Sequence, residues 1–237
     1  VSNRLGTDLE NLTLRVSAEP KVIGERTWRL DRIAAGSELR LRDRRVSLAG
    51  GMLEELTERM RAEVSFQLFQ GDAVLAESRH GIVALAHNEW GGARFMPELL
   101  AAFIIPNDPA VARLLKEASR LLEASGKTGS FEGYQARSRK RGWEMVSAIW
   151  AAVSRRRLTY AEPPTSFEQQ GQKVRLPSMI EEQGLATCLD TALLFAASIE
   201  LAGLYPIVVF TKGHALAGAW LQPQTLPSLM VDDPVEI

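Results

Sequence analysis

Hydrophobic and polar residues alternate along the first third of the chain, between about residues 12 and 85. A period of two is typical of strands that bury one face. Gln70-Gly71-Asp72 separates two such runs and predicts a hairpin turn. Residues 52–61 are an exception, because their apolar residues have helical spacing. The alternating runs are residues 12–16, 38–41 and 64–69. They predict a small antiparallel β-sandwich.

After residue 92 the apolar spacing becomes helical, and three helices are predicted. The second of them begins at Asp108-Pro109, because aspartate caps helices and proline is favoured at the first helical position. The predicted ranges are residues 97–105, 109–125 and 131–157. In the third range we expect Trp143 and Trp150 on the buried side, and Trp90 and Trp220 are also predicted to pack in cores.

Pro163-Pro164 ends the helical section, because proline lacks a backbone donor and restricts the residue before it. Residues 189–202 are apolar on nearly every side, which predicts a buried helix that ends at Gly203. Two strands follow, residues 205–211 and 214–221, joined by a tight hairpin. The predicted fold class is therefore α+β, with an accessory β-sandwich domain at 1–92 and a helical and antiparallel-sheet domain at 93–237.

The 237 residues are 46% hydrophobic and 24% charged, with a formal net charge of -1. This composition is typical of a folded globular protein and gives no overall attraction to nucleic acid or anionic membranes. No apolar run reaches the about 20 residues that span a bilayer, and no signal peptide is recognisable. We therefore expect a soluble cytoplasmic protein without membrane contact.

One cysteine and three histidines give neither an internal disulfide nor a structural zinc set, and no metal or cofactor is predicted. Cys188 lies where the buried helix begins. The positive end of a helix dipole favours a thiolate by about 0.3–1 kcal/mol at exposed sites. His214, at the start of the last predicted strand, is the candidate base that would form a thiolate–imidazolium pair.

A lone cysteine on a helix is more often a small buried hydrophobic residue than a nucleophile. The order of elements favours the catalytic interpretation here. Cys188 starts a buried helix, a glycine ends that helix, and His214 follows a Gly turn at the start of a strand. Both interpretations stay open at this point.

Three motifs carry a resemblance to a known family: Gly184-Leu185-Ala186-Thr187-Cys188-Leu189-Asp190-Thr191-Ala192, Ala202-Gly203-Leu204-Tyr205-Pro206 and Gly213-His214-Ala215. Together they resemble the transglutaminase-like (papain-like) cysteine peptidase superfamily, over about residues 134–221. The resemblance implies a transglutaminase-like domain that cleaves or transfers peptide or isopeptide bonds through Cys188 and His214. Its substrate would be a protein or peptide.

The runs at residues 97–103, 163–168 and 213–218 are similar to a bacterial subgroup. In that subgroup such a domain sits in long proteins with helicase and repair-endonuclease-like modules. This similarity implies that the chain is a fragment of a multidomain protein, truncated within its second domain. The alternative function is an inactive transglutaminase-like fold that acts as a protein-interaction or scaffolding module.

The family's third catalytic residue is an acid or amide that orients the imidazole. Asp232 and Asp233 match its expected place, although the true partner can also lie beyond Ile237. The oxyanion donors would be the backbone N–H of Cys188 and the side chain of Gln183, unless Gln183 belongs to a solvated loop. Asp190 is expected to complement the helix dipole rather than to act in catalysis.

The remaining polar features favour ordinary structural roles. His80 and His87 lie in the strand-rich part and are expected to be surface or core residues. Residues 137–141 and 155–157 are basic, and we expect them to form solvated helix faces. Without interleaved aromatic residues they do not favour direct nucleic-acid binding.

Overall fold

The structure is a computed structural model that describes residues 1–95 and 97–232. Contacts divide the chain into two compact units, residues 1–87 and 88–237. The sequence predicted a domain boundary after residue 92. The short strand β5 (Glu89–Trp90) nevertheless belongs to the second unit, because it pairs with residues 172–173. Helices and antiparallel sheet are both present, as expected of an α+β fold.

The first unit contains one antiparallel sheet in the order β2-β1-β3-β4. Its strands are β1 (Leu9–Glu19), β2 (Arg26–Ile33), β3 (Met60–Gln70) and β4 (Ala73–Ala84). The predicted hairpin turn is confirmed, since β3 ends at Gln70 and β4 begins at Ala73. Gly71 provides the positive φ of 57° that this turn requires.

No second sheet covers the first one among residues 1–87, all of which the structure describes. Residues 38–41 form no strand, although they contact residues 1–2 through an isolated bridge and through backbone and side-chain hydrogen bonds. The helix predicted at 52–61 reduces to the short α1 (Gly50–Glu54). Leu39, Leu41 and Met52 nevertheless pack on the buried face. Alternation showed that one face is buried, but not that loops and a short helix would cover it.

In the second unit, β5 is followed by a 3₁₀ helix (Pro97–Phe103) and two longer helices, α2 (Pro109–Ala124) and α3 (Arg139–Arg155). The predicted start of α2 is confirmed: Asp108 accepts a 2.8 Å hydrogen bond from the backbone N–H of Ala110. α3 starts later than predicted, because Ser138 caps it by accepting from the backbone N–H of Arg141.

The predicted burial of Trp143 and Trp150 is wrong, since they are 61% and 62% exposed. Both lie on the outer side of α3, seven residues apart. Met145, Ile149 and Ala152 form the inner side and are fully buried. The predicted helical period is correct, but the buried face of α3 is rotated about the helix axis relative to the predicted face.

Short elements lead to the central helix: β6 (Thr159–Tyr160), α4 (Phe167–Gln170), β7 (Gln172–Lys173), α5 (Pro177–Gln183) and β8 (Leu185–Ala186). The central helix α6 (Cys188–Leu201) is buried over most of its length, as predicted. β9 (Pro206–Thr211) and β10 (His214–Ala219) then form the predicted antiparallel hairpin, which packs on α6. In the described part of the chain, no helix is both long and apolar enough to cross a membrane.

Candidate active site

Cys188 is the first residue of α6 and is 6% exposed, which confirms its predicted place at the start of a buried helix. Thr187 caps this helix: its hydroxyl accepts from the backbone N–H of Asp190 at 3.2 Å. The carboxylate of Asp190 accepts in return from the backbone N–H of Thr187 at 2.9 Å. This capping box fixes the backbone beside the thiol and places Sγ at the positive end of the helix.

Asp190 is fully buried, and its role in the first turn of the helix is confirmed. Besides the capping box, it accepts from the backbone N–H of Arg175 at 2.8 Å and pairs with the Arg175 guanidinium at 3.1 Å. A buried carboxylate needs such partners, because an unpaired buried charge is very costly. Asp190 therefore holds the residues before α5 against the start of α6.

Gln172 extends this buried polar layer from β7. Its Nε2 donates a 2.8 Å hydrogen bond to the hydroxyl of Thr187, whereas its Oε1 is buried and has no hydrogen-bond partner among the described residues. Trp90, opposite Gln172 in the β5–β7 pair, likewise has a buried indole N–H without a partner there. Cys188 and Trp90 belong to the same apolar cluster.

Tyr160 lies beside the thiol. β6 pairs in parallel with β8, so that Tyr160 lies opposite Ala186, two residues before Cys188. The pKa of the Tyr160 hydroxyl is raised above its ordinary value, first by desolvation and then by the neighbouring Cys188. A tyrosine hydroxyl, with an ordinary pKa of about 10, carries its proton at neutral pH and can donate it to a hydrogen bond.

His214 is the first residue of β10 and pairs with Thr211. The next residue, Ala215, is 3% exposed and belongs to the apolar cluster of Cys188, while the His214 side chain is exposed. Because successive side chains of a strand point to opposite faces, His214 lies on the outer face of the hairpin. Within the described residues its imidazole has no hydrogen bond. The structure thus brings β10, but not the imidazole itself, to the helix that carries the thiol.

The other predicted site residues are scattered. Asp232 is exposed, outside any helix or strand, and Asp233 lies outside the described residues. Gln183 ends α5, and its Oε1 accepts from Nε of Arg175 at 3.2 Å. Gln183 is therefore connected to the start of α6 through Arg175 and Asp190. Its side-chain N–H groups have no partner in the described part of the chain.

The two histidines of the first unit are exposed. Of the two expected alternatives, a surface or a core position, the surface position is confirmed. His80 is 2.9 Å from the hydroxyl of Ser78, and a ring nitrogen of His87 is 3.1 Å from the carbonyl oxygen of Leu56. Among the described residues, no group of three or more possible metal ligands occurs.

Sequence reasoning missed three polar neighbours of Cys188. The Thr187–Asp190 spacing before an apolar run is a capping-box signal and would have identified Thr187. Tyr160 and Gln172 carried no such signal, because they reach the site through strand pairs that are distant in sequence.

Comparisons with protein-family models, curated proteins and solved structures found no match. The resemblance to transglutaminase-like cysteine peptidases therefore stays a prediction from the three motifs. The structure adds two chemical features to this prediction. The thiol lies at the start of a capped helix, and a tyrosine hydroxyl that carries its proton lies beside it.

Proposed function

We propose that residues 88–237 form a transglutaminase-like domain that carries out thiol-dependent acyl transfer on a protein or peptide. The observation that carries the proposal is the place of Cys188 at the first turn of a capped, buried helix with β10 packed against it. Both peptide or isopeptide hydrolysis and transamidation use this chemistry.

In the proposed reaction, the Cys188 thiolate attacks an amide carbonyl and a C–S bond forms. The C–N bond then breaks, and the imidazolium of His214 gives its proton to the leaving amine. Water or a second amine, deprotonated by His214, attacks the thioester and releases Cys188. The backbone N–H of Cys188 and the amide of Gln183 are the proposed oxyanion donors, and Asp232, Asp233 or a residue beyond 237 would orient His214.

This reaction requires the imidazole of His214 to reach the thiol from the outer face of the hairpin. The Lys212-Gly213 turn directly precedes His214, and Gly213 has a φ of 73°. A change of the backbone at this turn can redirect the first side chain of the strand. Catalytic hydrogen bonds often form only when substrate binds, so the unliganded geometry is compatible with this requirement.

The rate of iodoacetamide labelling of Cys188 at pH 7 tests the proposal. In wild-type protein we expect Cys188 to be labelled at this pH, because an imidazolium and the helix dipole would stabilise the reactive thiolate. H214A should slow labelling at pH 7 by about tenfold or more. C188A should not be labelled, and H80A, which removes an exposed histidine of the first unit, should behave as wild type.

The ratio of the wild-type and H214A labelling rates is the deciding quantity, because the burial of Cys188 slows labelling in both proteins. Equal labelling rates in wild type and H214A at pH 7 would contradict the acyl-transfer proposal.

A second candidate function is a catalytically inactive binding module of a larger DNA-processing protein, with helicase and nuclease parts attached. One observation favours it: His214 shares the outer face of the hairpin with Val209 and Leu216, which are 43% and 48% exposed. Such a face suits a protein contact better than proton transfer to a buried thiol. Equal labelling rates in wild type and H214A would support this candidate.

A further inference from the structure

A basic groove with a volume of about 840 Å³ lies between α2 and the C-terminal end of α3. Five cationic side chains line it: Arg113, Lys116 and Arg120 from α2, and Arg155 and Arg156 from the end of α3. The three residues of α2 are three and four positions apart and so share one helix face. The sequence predicts a solvated helix face at residues 155–157, but the fold places Arg155 and Arg156 opposite a second row of cations.

Two carboxylates also line this groove, and both are already paired. Glu181 of α5 accepts from Nε of Arg113 at 2.9 Å and from Nη1 of Arg156 at 2.6 Å. The hydrogen bond from Arg113 is the main cause that lowers the pKa of Glu181 to about 2, so this carboxylate is ionised at neutral pH. Glu117 lies 3.8 Å from Nε of Arg156.

The remaining cations have no counter-charge. Lys116, Arg120 and Arg155 make no ion pair or side-chain hydrogen bond within the described residues. Like charges four residues apart on a helix, such as Lys116 and Arg120, destabilise it slightly. A concave surface with low-dielectric walls also concentrates the field of such charges. In addition, the Nε–H of Arg156 is buried and donates no hydrogen bond there. An anion bound in the groove would offset the repulsion between these cations and would accept a hydrogen bond from the Nε–H of Arg156.

We propose that the basic groove binds the phosphate groups of an oligophosphate ligand, supplied either by a nucleoside polyphosphate or by a nucleic-acid backbone. Lys116 and Arg120 are about 6 Å apart along the α2 axis, so they present two charges to neighbouring phosphates on a rigid support. Guanidinium groups of Arg120 and Arg155 match phosphate oxygens in bidentate geometry. The volume lies within the range of small-ligand sites. This binding is independent of the chemistry at Cys188.

Fluorescence anisotropy and calorimetry on the whole 237-residue protein test this, with four probes: tripolyphosphate, ATP, a labelled 20-nucleotide oligo-dT and poly-glutamate. We expect binding of at least one phosphate probe that weakens steeply with salt. The charge-reversal variant K116E/R120E should weaken it about tenfold or more and reduce the salt slope by roughly one to two units. The milder K116Q/R120Q should show a smaller loss with an unchanged thermal melt, which separates binding from folding.

The matched control is R139E/K140E, which changes net charge equally at the other end of α3, about 24 Å from Arg155 along the axis. It should bind as wild type. Oligo-dT binding without tripolyphosphate or ATP binding identifies a nucleic-acid backbone as the source, and the reverse identifies a nucleotide. Three results would overturn the proposal: no binding of any phosphate probe at 0.1 M salt, equal losses in the control variant, or equally tight binding of poly-glutamate.

Discussion

At the scale of the residue, Cys188 belongs to an apolar cluster and also lies beside polar groups. The thiol follows a capped helix start, and a buried polar layer of Gln172, Thr187 and Asp190 lies next to it. A thiol in apolar surroundings is inert and has a raised pKa, whereas hydrogen-bond donors and a helix dipole stabilise the thiolate. Tyr160 is the donor that the structure adds to this environment.

Y160F should slow the alkylation of Cys188, because a hydrogen bond from the tyrosine hydroxyl to the thiolate is lost. Bonds to charged groups are worth about 1.5–3 kcal/mol when buried. Tyr160 is 55% exposed, so we expect a smaller effect, roughly a three- to tenfold slower alkylation at pH 8. Stopped-flow alkylation at pH 8 measures this. Y205F, which alters another exposed tyrosine of the same unit, serves as the control. An unchanged alkylation rate in Y160F would show that its hydroxyl does not contact the thiolate.

At the scale of the element, α3 is held to the preceding loop by Arg141, whose side chain is only 8% exposed. Its guanidinium donates to the carboxylate of Glu132 at 2.7 and 3.1 Å and to the carbonyl oxygens of Thr128 and Ser130. The hydrogen bonding of Arg141 to this carboxylate is the main cause that lowers the pKa of Glu132 to about 2. The loop at 128–132 is therefore fixed to α3 by a partly buried charge pair.

Acid should release this attachment. The pKa of Glu132 is lower in the folded than in the unfolded chain, where it is about 4.5. Its contribution to stability is thus complete above pH 4.5 and is lost as the pH falls towards 2. E132Q should destabilise the protein at pH 7 by on the order of 2–3 kcal/mol, because Arg141 loses the nearer of two carboxylate partners and keeps only Glu144, at 3.5 Å. It should also flatten the fall in stability between pH 4.5 and 2.

Urea unfolding measured across pH gives both quantities. E98Q alters an exposed carboxylate without a hydrogen bond in the described chain, and it should leave the stability and its pH profile nearly unchanged. Parallel pH profiles for wild type and E132Q would contradict the assigned role of the pair.

At the scale of the whole molecule, each of the two units has its own hydrophobic clusters. In the first unit, Leu12 and Ile33 are at most 2% exposed and belong to a cluster on the sheet. In the second, Ile149 and Ala197 are fully buried between the helices. A unit with its own core can respond to a cavity independently of its neighbour.

L12A should therefore speed amide hydrogen exchange in residues 1–87 and leave that of residues 88–232 unchanged. I149A should have the opposite effect. Truncation of a fully buried Leu or Ile to Ala typically costs about 2–5 kcal/mol, which is enough to make the affected unit open measurably more often. Exchange followed by mass spectrometry resolves the two units. Equal acceleration in both units for either variant would mean that they unfold together.

The amino-acid sequence by itself determined the local elements. The turn at Gly71, the helix starts at Asp108 and Cys188, and the hairpin around Gly213 were all predicted correctly. These signals succeed because capping, left-handed glycines and side-chain periodicity depend on residues only a few positions apart. The site residue that could be placed from sequence, Cys188 at a helix start, belongs to this class.

Only the tertiary structure decided which faces are covered and which distant residues meet. It exposed Trp143 and Trp150, placed Tyr160 beside the thiol, left His214 on the outer face of its hairpin and brought two basic helix faces together at the groove. The physical reason is the same in each case. Burial and pairing depend on neighbours far away in the chain, and local periodicity carries no information about where those neighbours pack.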